Sequence, residues 1–330
     1  MKRDWAISAG ALFALVLGGC GGSGGGGGSA PALPPAAPAT GTINTGSVLI
    51  VAGRSVDAAL QSGSFGGITD FVGLTAVATN DKDQISFGKP ANSAGWNVVS
   101  QLPVGPETTP CDVDGSVTVS GDITSPLTVT AGDFLDYVWA GCDDGLGQVI
   151  DGLIGMTFTE FSGDLLAGRI LLDVSLTAGN FRVTEGADFN LSDGGLALTI
   201  DSRTQPNTII TTLGIRFIIS NSTSTETLTN FSNMVTENTS IFPSNFITDV
   251  TGTVSSTQFS GSVNYDTPTP FQSSGAGFPY TGEMLITGSD NARIRVTAIS
   301  ATSVRIVADY NGDGAPDATI DTTWDALING

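Results

Sequence analysis

From Gly115 onward the chain beats in twos, and that period constrains its fold more than any other feature. Ile154, Met156 and Phe158 alternate with Thr157 and Thr159, and Ile170, Leu172, Val174 and Leu176 with Arg169, Asp173, Ser175 and Thr177. Leu196, Leu198 and Ile200 oppose Ala197, Thr199 and Asp201, while Leu213, Ile215, Phe217 and Ile219 oppose Arg216 and Ser220. The beat recurs at 116–120, 259–265, 294–298 and 304–308. One apolar and one polar face per segment means antiparallel strands, packed on one side and wet on the other. Between them stand turn residues: Gly194-Gly195, Gln205-Pro206-Asn207, Asn311-Gly312 and Asp313-Gly314. With no helical period between strands, the expected fold is mainly β. It is a large antiparallel meander, curled as a half-barrel or folded as a sandwich, with a little N-terminal helix.

Residues 1–20, MKRDWAISAGALFALVLGGC, follow another logic. Lys2 and Arg3 precede a 15-residue uncharged run at 5–19, and then comes Cys20. That run is shorter than the roughly 20 apolar residues that span a bilayer, so 1–19 reads as a signal peptide. Leu17-Gly18-Gly19-Cys20 resembles the lipobox of bacterial lipoproteins. The resemblance implies cleavage before Cys20, diacylglycerol on its thiol and an acylated new amino terminus. Gly21 stands where Asp, in enteric-type lipoproteins, favours inner-membrane retention, so the implied location is the cell envelope, at the outer membrane. An ordinary secretory signal with an incidental cysteine is the alternative.

The segment 20–42 is a Gly/Pro-rich linker, coil-like over 21–29 and biased to polyproline II over 31–38. A coil of ~20 residues spans about 25 Å, enough to hold a folded body off the headgroups. Next, 43–109 reads as a mixed N-terminal region, with a short strand at 47–52 and helices at 54–61 and 68–79. Residues 110–330 form the β domain. The Asn/Thr-rich stretch 220–244 reads as an exposed edge or irregular excursion.

Composition narrows the function. Loss of 1–19 takes the net charge from −20 to about −21, and such a polyanion repels nucleic acid. No histidine occurs, which removes Ser-His-Asp and Cys-His catalysis and every His-containing zinc site. With Cys20 lipidated, Cys111 and Cys142 remain as an even pair in an oxidising compartment. A bond between them closes a 32-residue loop, worth roughly 3–4 kcal/mol in the chain-entropy account; two buried free thiols are the alternative. Acidic residues flank both cysteines: Asp112, Asp114 and Asp122, then Asp143, Asp144 and Asp151. They make either a cation site or glycosidase-like carboxylate pair, or plain Asp-Gly turns.

The sharpest pattern is Asp309-Tyr310-Asn311-Gly312-Asp313-Gly314-Ala315-Pro316-Asp317. Oxygen ligands at positions 1, 3, 5 and 9 with Gly at 6 match the first part of a calcium loop of EF-hand type. Position 12 is Ile320, and the flanks read as strands, so this is not an EF-hand proper. The ligand set Asp309, Asn311, Asp313 and Asp317 makes calcium the expected cofactor; a solvated hairpin turn is the alternative. With this tail, the TTW that follows it, the GSVTVSG strand beside a cysteine and the lipobox, the chain is similar to a group of uncharacterised β-rich proteobacterial lipoproteins. The likeness covers about 110–330 and adds no activity. The expected function is a lipid-anchored, non-catalytic structural or binding module, its protein or glycan partner unspecified. Runners-up are a half-barrel carrier of a hydrophobic ligand and, more distantly, a carboxylate-pair glycan hydrolase.

Overall fold

The structure is a computed structural model and describes residues 33, 34, 36–63, 104–124, 129–143, 145, 147–164, 168–275 and 277–329. Cys20, Asp144, Trp96 and the helix expected at 68–79 lie outside them.

Among the described residues fourteen strands form one open antiparallel meander, each paired with its neighbours in chain order. They are β1 (Val104–Pro110), β2 (Asp114–Asp122), β3 (Phe134–Asp143), β4 (Gln148–Asp164), β5 (Arg169–Glu185), β6 (Asp188–Asp201) and β7 (Asn207–Asn221). The second half is β8 (Thr225–Asn238), β9 (Asn245–Ser256), β10 (Ser262–Ser274), β11 (Thr281–Thr287), β12 (Arg293–Ser300), β13 (Ser303–Asp309) and β14 (Ala318–Thr323). Among the described residues two α-helices flank the sheet, α1 (Val48–Gly63) before it and α2 (Trp324–Asn329) after it.

Alternation sorts the faces as the sequence predicts. In register, Leu228 pairs with Val254 and Val254 with Val263. Likewise Tyr265 pairs with Ile286, Ile286 with Ile294, and Ile294 with Ala308. All seven side chains are buried in one continuous core. Such cross-strand apolar pairs are the unit of sheet stability. The other face carries Thr157, Thr159, Ser175 and Thr177, all exposed, together with a bidentate Arg305–Asp321 pair at 2.7 and 2.9 Å.

Three local expectations are overturned. The β-branched run at 47–52 is helix, not strand, because Asn44 and Ser47 cap it reciprocally. Asn44 Oδ1 accepts from Gly46 and Ser47 N–H, and Ser47 Oγ accepts from Asn44 N–H. The cap outweighs the weak helix propensity of Val48, Ile50 and Val51. The stretch 220–244 is no excursion, since most of it is β8, paired on both sides. Asn230, at φ +46°, sits in a bulge, so Leu228 and Phe231 both face inward though three residues apart, and a strict period of two misses the strand. A second bulge lies in β7, where register with β6 shifts between Gly195 and Ala197. Beyond it the faces exchange: Thr212 and Gly214 point inward, and Ile215, expected in the core, is exposed. Gly214 is required there, because any Cβ would strike the Phe231 ring.

Helix α1 lies over β7, β8, β9, β11 and β12 and against α2. Val51, Ala52, Val56 and Ala59 are fully buried. Arg54, buried, donates from Nη2 to the Ile328 carbonyl at 2.9 Å, capping the end of α2, and faces Asp57 at 3.6 Å.

Candidate functional site

In a meander, the turns that leave odd-numbered strands share one end of the sheet. Here that end is acidic, with Asp112, Asp114, Asp143, Glu185, Asp188, Asp290, Asp313 and Asp317 in or beside its turns. The opposite end carries Asp122, Asp133, Asp164 and Asp201 beside Arg169 and Arg203, and a β8–β9 loop whose Phe242 is 83% exposed.

The linker is fastened to the acidic end. Thr40 and Gly41 N–H donate to the Ser262 carbonyl at 3.0 and 2.7 Å, and Ser289 N–H donates to the Gly41 carbonyl at 2.8 Å. Asn264 Nδ2 donates to the Ala37 carbonyl at 3.1 Å. Residues 37–41 thus cross the β9–β10 and β11–β12 turns before the chain enters α1.

Cys111 and Cys142 are bonded, with Cα atoms 5.4 Å apart. The bond ties the β1–β2 turn to the end of β3. Around it the carboxylates make turns. Asp114 accepts from Gly115 N–H, Asp143 from Gly145 N–H and Asp151 from Gly141 N–H, at 2.8, 2.9 and 2.6 Å. Asp114 and Asp143 are cross-strand partners, whereas Asp122 lies at the far end of β2, about 26 Å away at ~3.3 Å per residue. Asp122 therefore stands apart from the described acids beside the disulfide.

The β13–β14 loop packs on the β11–β12 turn, where a Cβ at Gly312 would stand 2.6 Å from the Asp290 carbonyl. Asp309 is buried, and its two oxygens accept from Gly312 and Gly314 N–H at 2.7 and 2.8 Å. Asp313 accepts from Ala315 N–H and Asn311 Nδ2 at 2.8 and 3.1 Å, and Asp317 from Tyr310 N–H at 2.6 Å. Asp309, Asn311, Asp313 and Asp317 thus serve one short loop, but each spends oxygens on its backbone or on a neighbour. Among the described residues no three His, Cys, Asp or Glu side chains are grouped to hold a metal. As they stand, the four side chains form a self-supporting turn, not an open cage.

Two carboxylates with perturbed acidity escape the sequence reading. Burial pushes Asp133 up, but donors outweigh it: Thr130 N–H at 2.7 Å, Thr124 Oγ1 at 2.7 Å, Thr124 N–H at 3.0 Å and Thr130 Oγ1 at 3.0 Å. Its acidity ends below the ordinary carboxylate value. Asp266 goes the other way, raised by burial and then by the neighbouring Asp249 charge. No sequence signal marks Asp249 and Asp266 as neighbours; the register shift after Asp266 lies beside them.

Comparison with protein-family models, with curated proteins and with solved structures gave no match to this chain.

Proposed function

We propose that the protein is a lipid-anchored, non-catalytic structural or binding module of the bacterial envelope, acylated on Cys20 and placed at the outer membrane. The observation that carries the reading is how the inward face is used. From Val117 through Leu135, Ile154, Leu198, Phe217, Val254 and Met284 to Ile306 its side chains are all but fully buried, and α1 and α2 close part of it. A carrier needs an apolar face that a ligand can reach, and a filled face favours the module. The likeness of residues 17–20 to a lipobox supports the anchor, and the fastening of residues 37–41 would suspend the body by its acidic end. Metabolic labelling with a palmitate analogue tests this: the wild type takes label and Cys20→Ser does not. Label retained by Cys20→Ser refutes acylation there.

Calcium is the ligand proposed for the β13–β14 loop, on the spacing of its oxygens. Binding requires the carboxylates to turn from the loop amides toward the ion, which sets a modest affinity, ~10⁻⁴–10⁻³ M as in extracellular modules. At 100 times the dissociation constant it would add about 2.7 kcal/mol. The expected result is a higher Tm in calcium, a smaller rise in magnesium, and no calcium effect in Asp313→Ala. Identical melts in calcium and in chelator leave only the turn.

A further inference from the structure

Between α1 and the sheet lie polar atoms that a dry core would not leave unpaired. Ser55 Oγ, Thr212 Oγ1, Asn233 Oδ1 and Tyr265 Oη are buried and have no hydrogen-bond partner among the described residues. Their residues are at most 2% exposed. An orphaned buried hydroxyl or amide oxygen costs about 1–3 kcal/mol, so four in one region call for an explanation.

The backbone brings them together. Thr212 on β7 and Asn233 on β8 are direct cross-strand partners, both facing inward. Asn233 already reaches α1, since its Nδ2 donates to the Ala59 carbonyl at 2.9 Å and to Ser62 Oγ at 3.2 Å. Ser55 precedes Ala59 by four residues and Ser62 by seven, so the three share one face of the helix. Asp57, by contrast, lies about 200° round the helix from Ser55. On the other side, Val250 of β9 pairs with Asn233, and Gly252 is one pleat along from Val250. Tyr265 pairs with Gly252, where a Cβ would stand 2.7 Å from its hydroxyl and 2.8 Å from Phe231 Cβ. Gly252 leaves room for that hydroxyl beside Phe231, on the buried face of β8 and β9.

We propose that this seam between α1 and β7, β8 and β9, with the Tyr265 hydroxyl at its edge, is a binding site for ordered water, which bridges the helix to the sheet. The chemistry selects water. Three of the four atoms are hydroxyls that both donate and accept, and the fourth is an amide oxygen that accepts only. A water needs two to four polar partners, and this set supplies both kinds. A metal ion would find no carboxylate among the four to offset its desolvation, and an apolar guest would leave every one unpaired. The water also completes the seat of α1, whose sheet-facing side carries Ser55 and Ser62 among its apolar residues.

The sign of a stability change tests the proposal in the purified full-length protein. Thr212→Val keeps shape and strand propensity but removes the hydroxyl. If water is bound, the variant strands that water and the Tm falls by more than in Thr212→Ser, which keeps the hydroxyl and loses only a buried methyl group. Tyr265→Phe gives the same fall independently. If the seam is dry, both deletions remove an unpaid desolvation and the Tm holds or rises, which overturns the proposal. A crystal structure that resolves ordered water elsewhere in the protein but none within hydrogen-bond distance of Thr212 and Asn233 overturns it as well.

Discussion

Asp133 and Asp266 carry the same side chain and respond to acid with opposite signs. The folded state holds Asp133 below its unfolded value of ~3.9, through donors from Thr124 and Thr130. Its stabilisation is present above the unfolded value and is lost as pH falls through the lower folded one. Asp266 is raised by burial and by Asp249. It therefore weighs against folding at neutral pH, and that penalty fades as pH falls through the raised value toward ~3.9. Asp133→Asn should cost about 1–3 kcal/mol at neutral pH and flatten the acid limb of the stability curve. Asp266→Asn should leave the neutral Tm unchanged or higher. Thermal melts across pH check both, and a clear loss in Asp266→Asn at neutral pH would contradict the assignment. Neither role is legible in sequence, where Asp133 stands beside Gly132 as any turn residue would. At the β13–β14 loop the spacing of four oxygens was legible; their use to hold Gly312, Gly314 and Tyr310 amides was not, because that depends on the fold of the turn.

At the scale of elements, α2 shows how much six residues can carry. Trp324 is fully buried, shares its indole N–H between the Pro279 and Ser300 carbonyls at 3.0 and 3.2 Å, and packs on Phe278 and Phe271. Gly53 lets α1 approach so closely that a Cβ would strike the Leu327 carbonyl. Trp324→Ala should cost about 3–5 kcal/mol, and Gly53→Ala about 1–3 kcal/mol from overpacking, both read from denaturant unfolding. A neutral Gly53→Ala would mean that α2 moves freely from α1. Alternation made β4, β5, β6, β12 and β13 legible, because the register shifts in β4 and β5 leave the alternating runs 154–158 and 170–176 intact. It failed at β8 and in the first half of β7, where single bulges at Asn230 and beside Ile215 exchange the faces. It failed again at 47–52, where the decisive signal was a cap several residues upstream of the β-branched run. A six-residue helix such as α2 is too short to show a period at all.

The described residues form a sheet with one face committed to its own core and the other to water. Outward threonines and serines on β4 and β5 are the reverse of the apolar outer band of a membrane-spanning barrel, which accords with a body suspended beside a membrane by its terminus. The proposed removal of 1–19 would leave a net charge near −21, which would also hold the acidic end away from anionic headgroups. The disulfide was legible once Cys20 was set aside as the lipidation site, which leaves an even pair, and it is formed; the anchor rests on four residues and a hydrophobic run. Native mass spectrometry of the protein extracted from membranes tests the central claim most directly. The account predicts a chain that begins at Cys20, carries a covalent diacylglyceryl and N-acyl mass, keeps its disulfide and holds no further lipid-sized ligand. A chain without the acyl mass, or one that carries a non-covalent lipid within the body, would contradict it.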